Sequence, residues 1–97
     1  MSFQLIIKEE AIQDMAEAFE WYEQQREGLG SEFLNEVEAC MNKAVSNPQR
    51  FPTFEGFKVV LTNRFPYKIV FETEHDSIVV YAVYHDKRSP KGLSARM

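Results

Sequence analysis

From Ser2 to Lys8, apolar and polar residues alternate. Phe3, Leu5 and Ile7 fall on one side, and Ser2, Gln4 and Lys8 on the other, a period of two that predicts a short strand. At Glu9 the period changes. Ile12, Met15, Ala16, Phe19 and Tyr22 recur at helical spacing, while Glu10, Asp14, Glu17 and Glu20 lie mostly off that stripe, so an amphipathic helix is expected as far as Arg26. Glu9 and Glu10 in its first turn suit the positive end of the helix dipole, and Gly28 supplies a left-handed residue to turn the chain. Ser31 is the expected N-cap of a second helix, with Phe33, Leu34, Val37, Cys40, Met41 and Ala44 as its stripe. Asn47-Pro48 ends it. A link of about five residues makes the two an antiparallel hairpin, whose apolar face needs a sheet to cover it.

The second half returns to β patterning. Residues 48–56 read as a loop with Phe51 and Phe54 tucked against the core, and Phe57 to Leu61 as a strand with Lys58 and Val60 on one side. Thr62-Asn63-Arg64 then turns the chain. Two runs rich in β-branched and aromatic residues, Tyr67–Phe71 and Ile78–Tyr84, flank a polar tip and predict a β-hairpin. With His75-Asp76 as a two-residue turn, Lys68 faces Val83, Val70 faces Tyr81 and Tyr67 faces Tyr84. One face then carries Tyr67, Ile69, Phe71, Ile78, Val80, Ala82 and Tyr84 and lies under the helices. The other carries Lys68, Glu72 and His85 among Val70, Val79, Tyr81 and Val83, and is expected to meet solvent or a ligand. A one-residue slip would exchange the faces. Beyond Tyr84, Pro90 and Gly92 break regular structure in a basic tail. The expected fold is α+β in the order β-α-α-β-β-β, a single domain over 1–97, with a two-helix hairpin on one face of a small antiparallel-rich sheet.

Charge divides the chain. The net charge of −4 is the balance of about −7 over residues 1–55 and about +3 over 56–97, which disfavours broad non-specific binding to nucleic acid. A lone cysteine, Cys40, forms no internal disulfide and reads as core filling in a reducing compartment. The first residues lack the basic and apolar regions of a signal peptide, and no run approaches a membrane span, so a cytoplasmic protein is expected. His75 and His85 lack ligand spacing, so no metal or other cofactor is expected. No nucleophile elbow, phosphate loop or dinucleotide motif occurs. What remains is a group of cations (Lys58, Arg64, Lys68, Lys87, Arg88, Lys91, Arg96) around one titratable base, His85. Lys58, Lys68, His85 and Arg88 could together cleave RNA without metal. His85 would serve as base or acid, and the cations would stabilise charge building on the phosphate.

Six short motifs occur in order: Ala11-x-x-Asp14, Trp21-Tyr22-Glu23-x-Gln25, Gly28-Leu29-Gly30-x-x-Phe33, Asn47-Pro48-x-x-Phe51-Pro52, Arg64-Phe65-Pro66-Tyr67 and His85-x-x-Arg88-x-Pro90. Together they resemble the ParE/RelE superfamily of type II toxins, in its ParE-like (plasmid stabilisation) branch. The resemblance implies a toxin bound by a cognate antitoxin. ParE-like members are thought to inhibit DNA gyrase by binding, without chemistry of their own. RelE-like members cut mRNA on the ribosome with basic residues. Measured against them, Lys68 stands where arginine is usual, Val60 replaces a lysine, and Leu93 and Ser94 occupy the region of a tail tyrosine. Lysine for arginine loses a bidentate grip on phosphate. Leu93 also replaces the tryptophan usual in the tail of ParE-like members. The reading is therefore a ParE-like binding inhibitor of gyrase. A ribosome-dependent endoribonuclease is the alternative, and a toxin fold that has lost toxicity is a third. Expected contacts with target or antitoxin are Trp21, Tyr22, Arg64, Lys87, Arg88 and Lys91.

Overall fold

A computed structural model describes residues 3–54 and 56–85. Strand β1 (Gln4–Ile7) leads into helix α1 (Glu9–Gln25) and helix α2 (Leu29–Ser46). A 3₁₀ turn at Pro48–Arg50 precedes strands β2 (Thr53–Phe54), β3 (Phe57–Leu61), β4 (Tyr67–Glu74) and β5 (Ser77–His85). The sheet runs β1-β5-β4-β3-β2; β1 is parallel to β5 and every other pair is antiparallel. Both helices contribute to one core with a single set of sheet residues, Val60, Ile69, Phe71, Ile78, Val80 and Val83. The α+β class and the order of the main elements are those of the pattern; β2, inside the expected loop, is an addition. It is a two-residue edge pairing Thr53 with Lys58 and Phe54 with Phe57, too short to leave a periodic signal. Phe51 packs edge-on against Phe71 at 5.9 Å between ring centroids. The side chain of Phe54 lies outside the described residues, as does the basic tail.

The turn between the helices is tighter than its sequence suggests. Gly28, at φ 88°, is the N-cap of α2, and Ser31 lies inside the helix, correcting the expected start. No side-chain cap comes from Gly28 itself. The carboxylate of Glu23 in α1 serves instead, accepting hydrogen bonds from the N–H groups of Gly28 at 3.2 Å and Gly30 at 2.8 Å. These are among the donors that a helix start leaves without partners. Gly30 is needed for a second reason. A Cβ there would sit 2.7 Å from the backbone oxygen and the Cδ1 of Phe19, and 2.8 Å from Cγ of Glu23. The two helices therefore touch almost backbone to backbone.

The hairpin of β4 and β5 turns at His75-Asp76 as expected, with Glu74 opposite Ser77 and the pairing regular to Phe71 opposite Val80. Beyond that the register shifts, and Val70 faces Ala82, Ile69 faces Val83, Lys68 faces Tyr84 and Tyr67 faces His85. Tyr81 is the extra residue of a β-bulge. One inserted residue inverts the side-chain alternation of everything after it. Ala82 and Tyr84 therefore leave the helix-covered side and join Val70, Val79 and Tyr81 on the far face, whereas Val83 enters the main core. The expectation that this far face meets solvent is also corrected: Val70, Val79, Tyr81, Ala82 and Tyr84 are all buried. Tyr81 donates a hydrogen bond to Glu72 at 3.1 Å across the sheet.

Candidate functional site

The bulge sends His85 to the helix-covered side, at the end of the sheet where α1 passes. There a cleft of about 540 Å³ opens between α1 and the ends of β4 and β5. Asp14, Glu17, Ala18, Trp21 and Tyr22 form its helical wall. Pro66, Tyr67, Val83 and His85 form the other. On the helix these positions recur at intervals of three and four, and they include Ala18 and Tyr22, where the cleft meets the buried core.

The cleft rests on packed aromatic rings. Tyr22 stacks near Phe33, Phe65 and Tyr67, with centroids 5.3, 4.9 and 6.1 Å away. Phe33, fully buried, meets Phe65 at 5.4 Å and Tyr67 at 4.9 Å. Most of these pairs are edge-to-face, each worth about 0.5–1.5 kcal/mol beyond area burial. Trp21 stands edge-on to Tyr22 at 5.1 Å and is 57 % exposed. It is a rim residue of this cleft. His85 stands edge-on to Tyr67 at 5.5 Å.

One hydrogen bond fixes the cleft's depth. Strand β1 ends opposite Val80, and beyond it no strand pairs with that side of β5 among the described residues. There the Val83 N–H donates to Oδ2 of Asp14 at 3.1 Å, so a carboxylate from α1 meets this part of β5. Burial, and then the charge of Asp14, push the Tyr67 phenol above its ordinary pKa; burial, and then Tyr67, do the same for Tyr22. Both phenols therefore remain protonated at neutral pH.

The loop 62–66 beside the cleft is held from two sides. The Thr62 hydroxyl hydrogen-bonds the carbonyl groups of Phe65 and, at 3.0 Å, Tyr67. The Glu36 carboxylate on α2 accepts from the N–H of Arg64 at 3.1 Å and of Phe65 at 3.2 Å. Arg64 itself is paired with Glu32, which also binds Arg26 at 3.0 Å. These two arginines, Arg64 first, lower the pKa of Glu32.

The residues expected to form a cleavage site are dispersed. Lys58 faces Phe71 on the helix-covered side of the sheet. There its Nζ donates to the Phe51 carbonyl at 3.1 Å. Lys68 lies between the core residues Tyr67 and Ile69, opposite Tyr84 of the far face. His85, expected beside Lys68, is instead in the cleft. Of the expected contact residues, Trp21 and Tyr22 meet in the cleft, whereas Arg64 engages α2. Arg88, Lys87 and Lys91 lie outside the described residues. No group of three or more histidine, cysteine or acidic side chains that could hold a metal occurs among the described residues, and no described helix is long and apolar enough to cross a membrane. Sequence reasoning missed Glu17, Tyr67 and Val83 as cleft residues. Val83 is placed by the bulge, which has no sequence signature here, whereas Tyr67 lies on the helix-covered face that the pattern predicts.

The arrangement defines a small α+β domain with a preformed aromatic and acidic cleft, suited to binding. A family model described as "ParE toxin of type II toxin-antitoxin system, parDE" matches residues 5–90, and the chain belongs to that family. Among solved structures it is similar to a chain described as "Chromosomal ParDE TA system from P. aeruginosa". The two share 10 % identity at a TM-score of 0.77, over 87 % of this chain and 96 % of that one, which is a likeness of fold. No curated protein matches the chain.

Proposed function

We propose that this protein is the toxin of a type II toxin–antitoxin pair, acting in the cytoplasm by binding and inhibiting DNA gyrase and neutralised by a cognate antitoxin. Family membership supports the toxin assignment. The observation that carries the choice of binding over cleavage is the dispersal of Lys58, Lys68 and His85 over two faces of the sheet. An endoribonuclease needs base, acid and cation around one phosphate within hydrogen-bond reach. The antitoxin's neutralising segment is assigned to the cleft at Trp21 and Tyr22, where aromatic burial is available near a strand edge. Such anchors dominate interface energetics, whereas exposed ion pairs contribute about 0.2–1 kcal/mol each.

The test is inhibition of supercoiling by purified gyrase, together with mapping of mRNA ends after induction without the antitoxin. Loss of supercoiling with intact messages is expected. Codon-phased cuts with unaffected gyrase would transfer the assignment to the ribosome-dependent nuclease, and normal growth on induction would mean a fold without toxicity.

A further inference from the structure

A hollow of about 300 Å³ opens between the end of α2, the 3₁₀ turn and β3. Lys8, Arg26, Lys43 and Arg50 are the cations of residues 1–55, the acidic half of the chain. Two of them, Lys43 and Arg50, line this one hollow, and both are exposed. Asn63, also exposed, adds an amide. The backbone that carries Arg50 is tied down. Nζ of Lys58 donates to the Phe51 carbonyl at 3.1 Å, and the Val59 N–H donates to the Pro52 carbonyl at 3.3 Å. Beside the cations lies hydrocarbon, with Val59 half-buried and Leu61 60 % exposed. The buried Cys40 also lines the hollow. Burial, the largest cause, raises its thiol above the ordinary pKa, so the sulfur is uncharged and does not repel an anion.

We infer that this hollow is a docking point for a partner polypeptide, at a stretch where an aspartate or glutamate adjoins a leucine-like side chain. Charge complementarity selects the carboxylate. The planar guanidinium of Arg50 can fork onto its two oxygens, and Lys43 adds a point charge from a second element. Leu61 and Val59 take the apolar neighbour, whose burial strengthens a contact that an exposed ion pair alone would leave weak. A nucleic-acid strand fits less well. Two cations neutralise few phosphates on a chain of net charge −4. The ring of Phe51, which also lines the hollow, is edge-on to Phe71 and lies under Arg50 at 5.9 Å, so it offers no open face to a base. Nothing here depends on the toxin assignment, and no described residue lines both this hollow and the cleft at Trp21. The basic contribution to a partner then comes from α2 and the 3₁₀ turn, in the half of the chain whose net charge is negative.

The full chain is titrated with acetyl-Leu-Glu-Leu-amide, and then with acetyl-Leu-Gln-Leu-amide, its neutral counterpart, and read by amide NMR. Saturable shifts at the Leu61 backbone amide and the Asn63 side-chain amide are expected with the glutamate peptide. Binding about tenfold weaker is expected with glutamine, the size of one lost charge-assisted hydrogen bond. Arg50→Gln should weaken the glutamate peptide about tenfold as well and leave the glutamine peptide unchanged. Arg50→Lys, which keeps the charge and loses the fork, should recover part of that loss. Leu61→Ser should weaken both peptides alike. Arg50 and Leu61 are exposed, so these variants keep the fold. Equal binding of the two peptides, shifts away from Leu61 and Asn63, or no binding at all would overturn the assignment. Tighter binding of a thymidylate oligonucleotide, with the same shifts, would make the occupant a nucleic acid and sink the polypeptide. Glu55 and Asp86 belong to this same chain. If the Glu55→Gln/Asp86→Asn variant binds the glutamate peptide about tenfold tighter, the chain supplies the carboxylate itself and the assignment to a partner falls.

Discussion

Helix α1 has a hollow on each side, and the two are built differently. On one side lies the cleft of Asp14, Glu17, Trp21 and Tyr22. On the other, Ile7, Ile12, Met15, Ala16, Phe19 and Leu34 line a shallower groove of about 350 Å³. The groove is almost wholly hydrocarbon, with Ile12 53 % exposed. Nothing in its lining orients a ligand. The cleft has an aromatic floor, two carboxylates and a backbone tether. Binding sites generally combine apolar surface with a few fixed polar groups, and only the cleft meets that description. An exposed apolar surface alone is an ambiguous signal; a carboxylate whose position is fixed by the fold is a more informative one.

Substitutions on and between the two sides sharpen this contrast. The largest effect is expected at Gly30, where the helices touch. Gly30→Val should destabilise the fold by about 3 kcal/mol or more, because the nearest obstacle is the backbone of Phe19, which cannot swing aside. Urea denaturation measures it. Next comes Asp14→Ala, which leaves the partly buried Val83 N–H without its acceptor and should cost about 1–3 kcal/mol. Faster hydrogen exchange at Val83 should accompany the loss; an unchanged rate would mean that the tether does not define the cleft. Glu23→Ala, which uncaps α2, should cost about 1 kcal/mol in the same assay.

Three smaller effects complete the series. Ile12→Ser on the groove side should change stability by no more than about 0.5 kcal/mol and leave antitoxin affinity untouched. Trp21→Ala on the cleft side should be similarly neutral for folding yet weaken the complex in calorimetric titration. If both variants weaken it equally, the partner covers both hollows and the contrast fails. The last effect is one of pH. Glu32, with its pKa depressed first by Arg64 and then by Arg26, contributes stability that is present above its unfolded pKa and lost as pH falls through the folded value. Glu32→Gln should therefore flatten the acid limb of the stability profile, read as urea midpoints between pH 7 and about pH 3.

Much of the fold was legible because the apolar period changes sharply at Glu9 and again after Gly56. The stops at Gly28 and Asn47-Pro48 have direct steric causes. The cleft was half legible. Trp21 and Tyr22 stood out, because an aromatic pair at the edge of a helical stripe is visible in a linear pattern. His85 was assigned to the wrong face because Tyr81 is a bulge residue, and the energetics of β-bulges depend on tertiary packing, not on local composition. The carboxylates were misjudged for a related reason. Asp14 reads as part of the polar side of α1, and the pattern assigns no role to the side chains of Glu23 and Glu36, yet each accepts a backbone N–H from another part of the chain. A linear pattern shows that a residue is polar and does not show which N–H it will meet. The motifs also acquire physical meaning here. Asp14, Glu23, Gly28 and Gly30, which fall in three of the six, are joints of the scaffold and say nothing of a target.

The bond from Asp14 to Val83 joins residues 69 positions apart, and this bears on the order in which the protein can assemble. The helical hairpin and the β3-β4-β5 meander can each form from neighbouring segments of chain, with little loop entropy to overcome. The cleft cannot, because its walls come from α1 and from the ends of β4 and β5. On a ribosome, it completes only after His85 has cleared the exit tunnel, so a nascent chain does not present this surface until β5 has emerged.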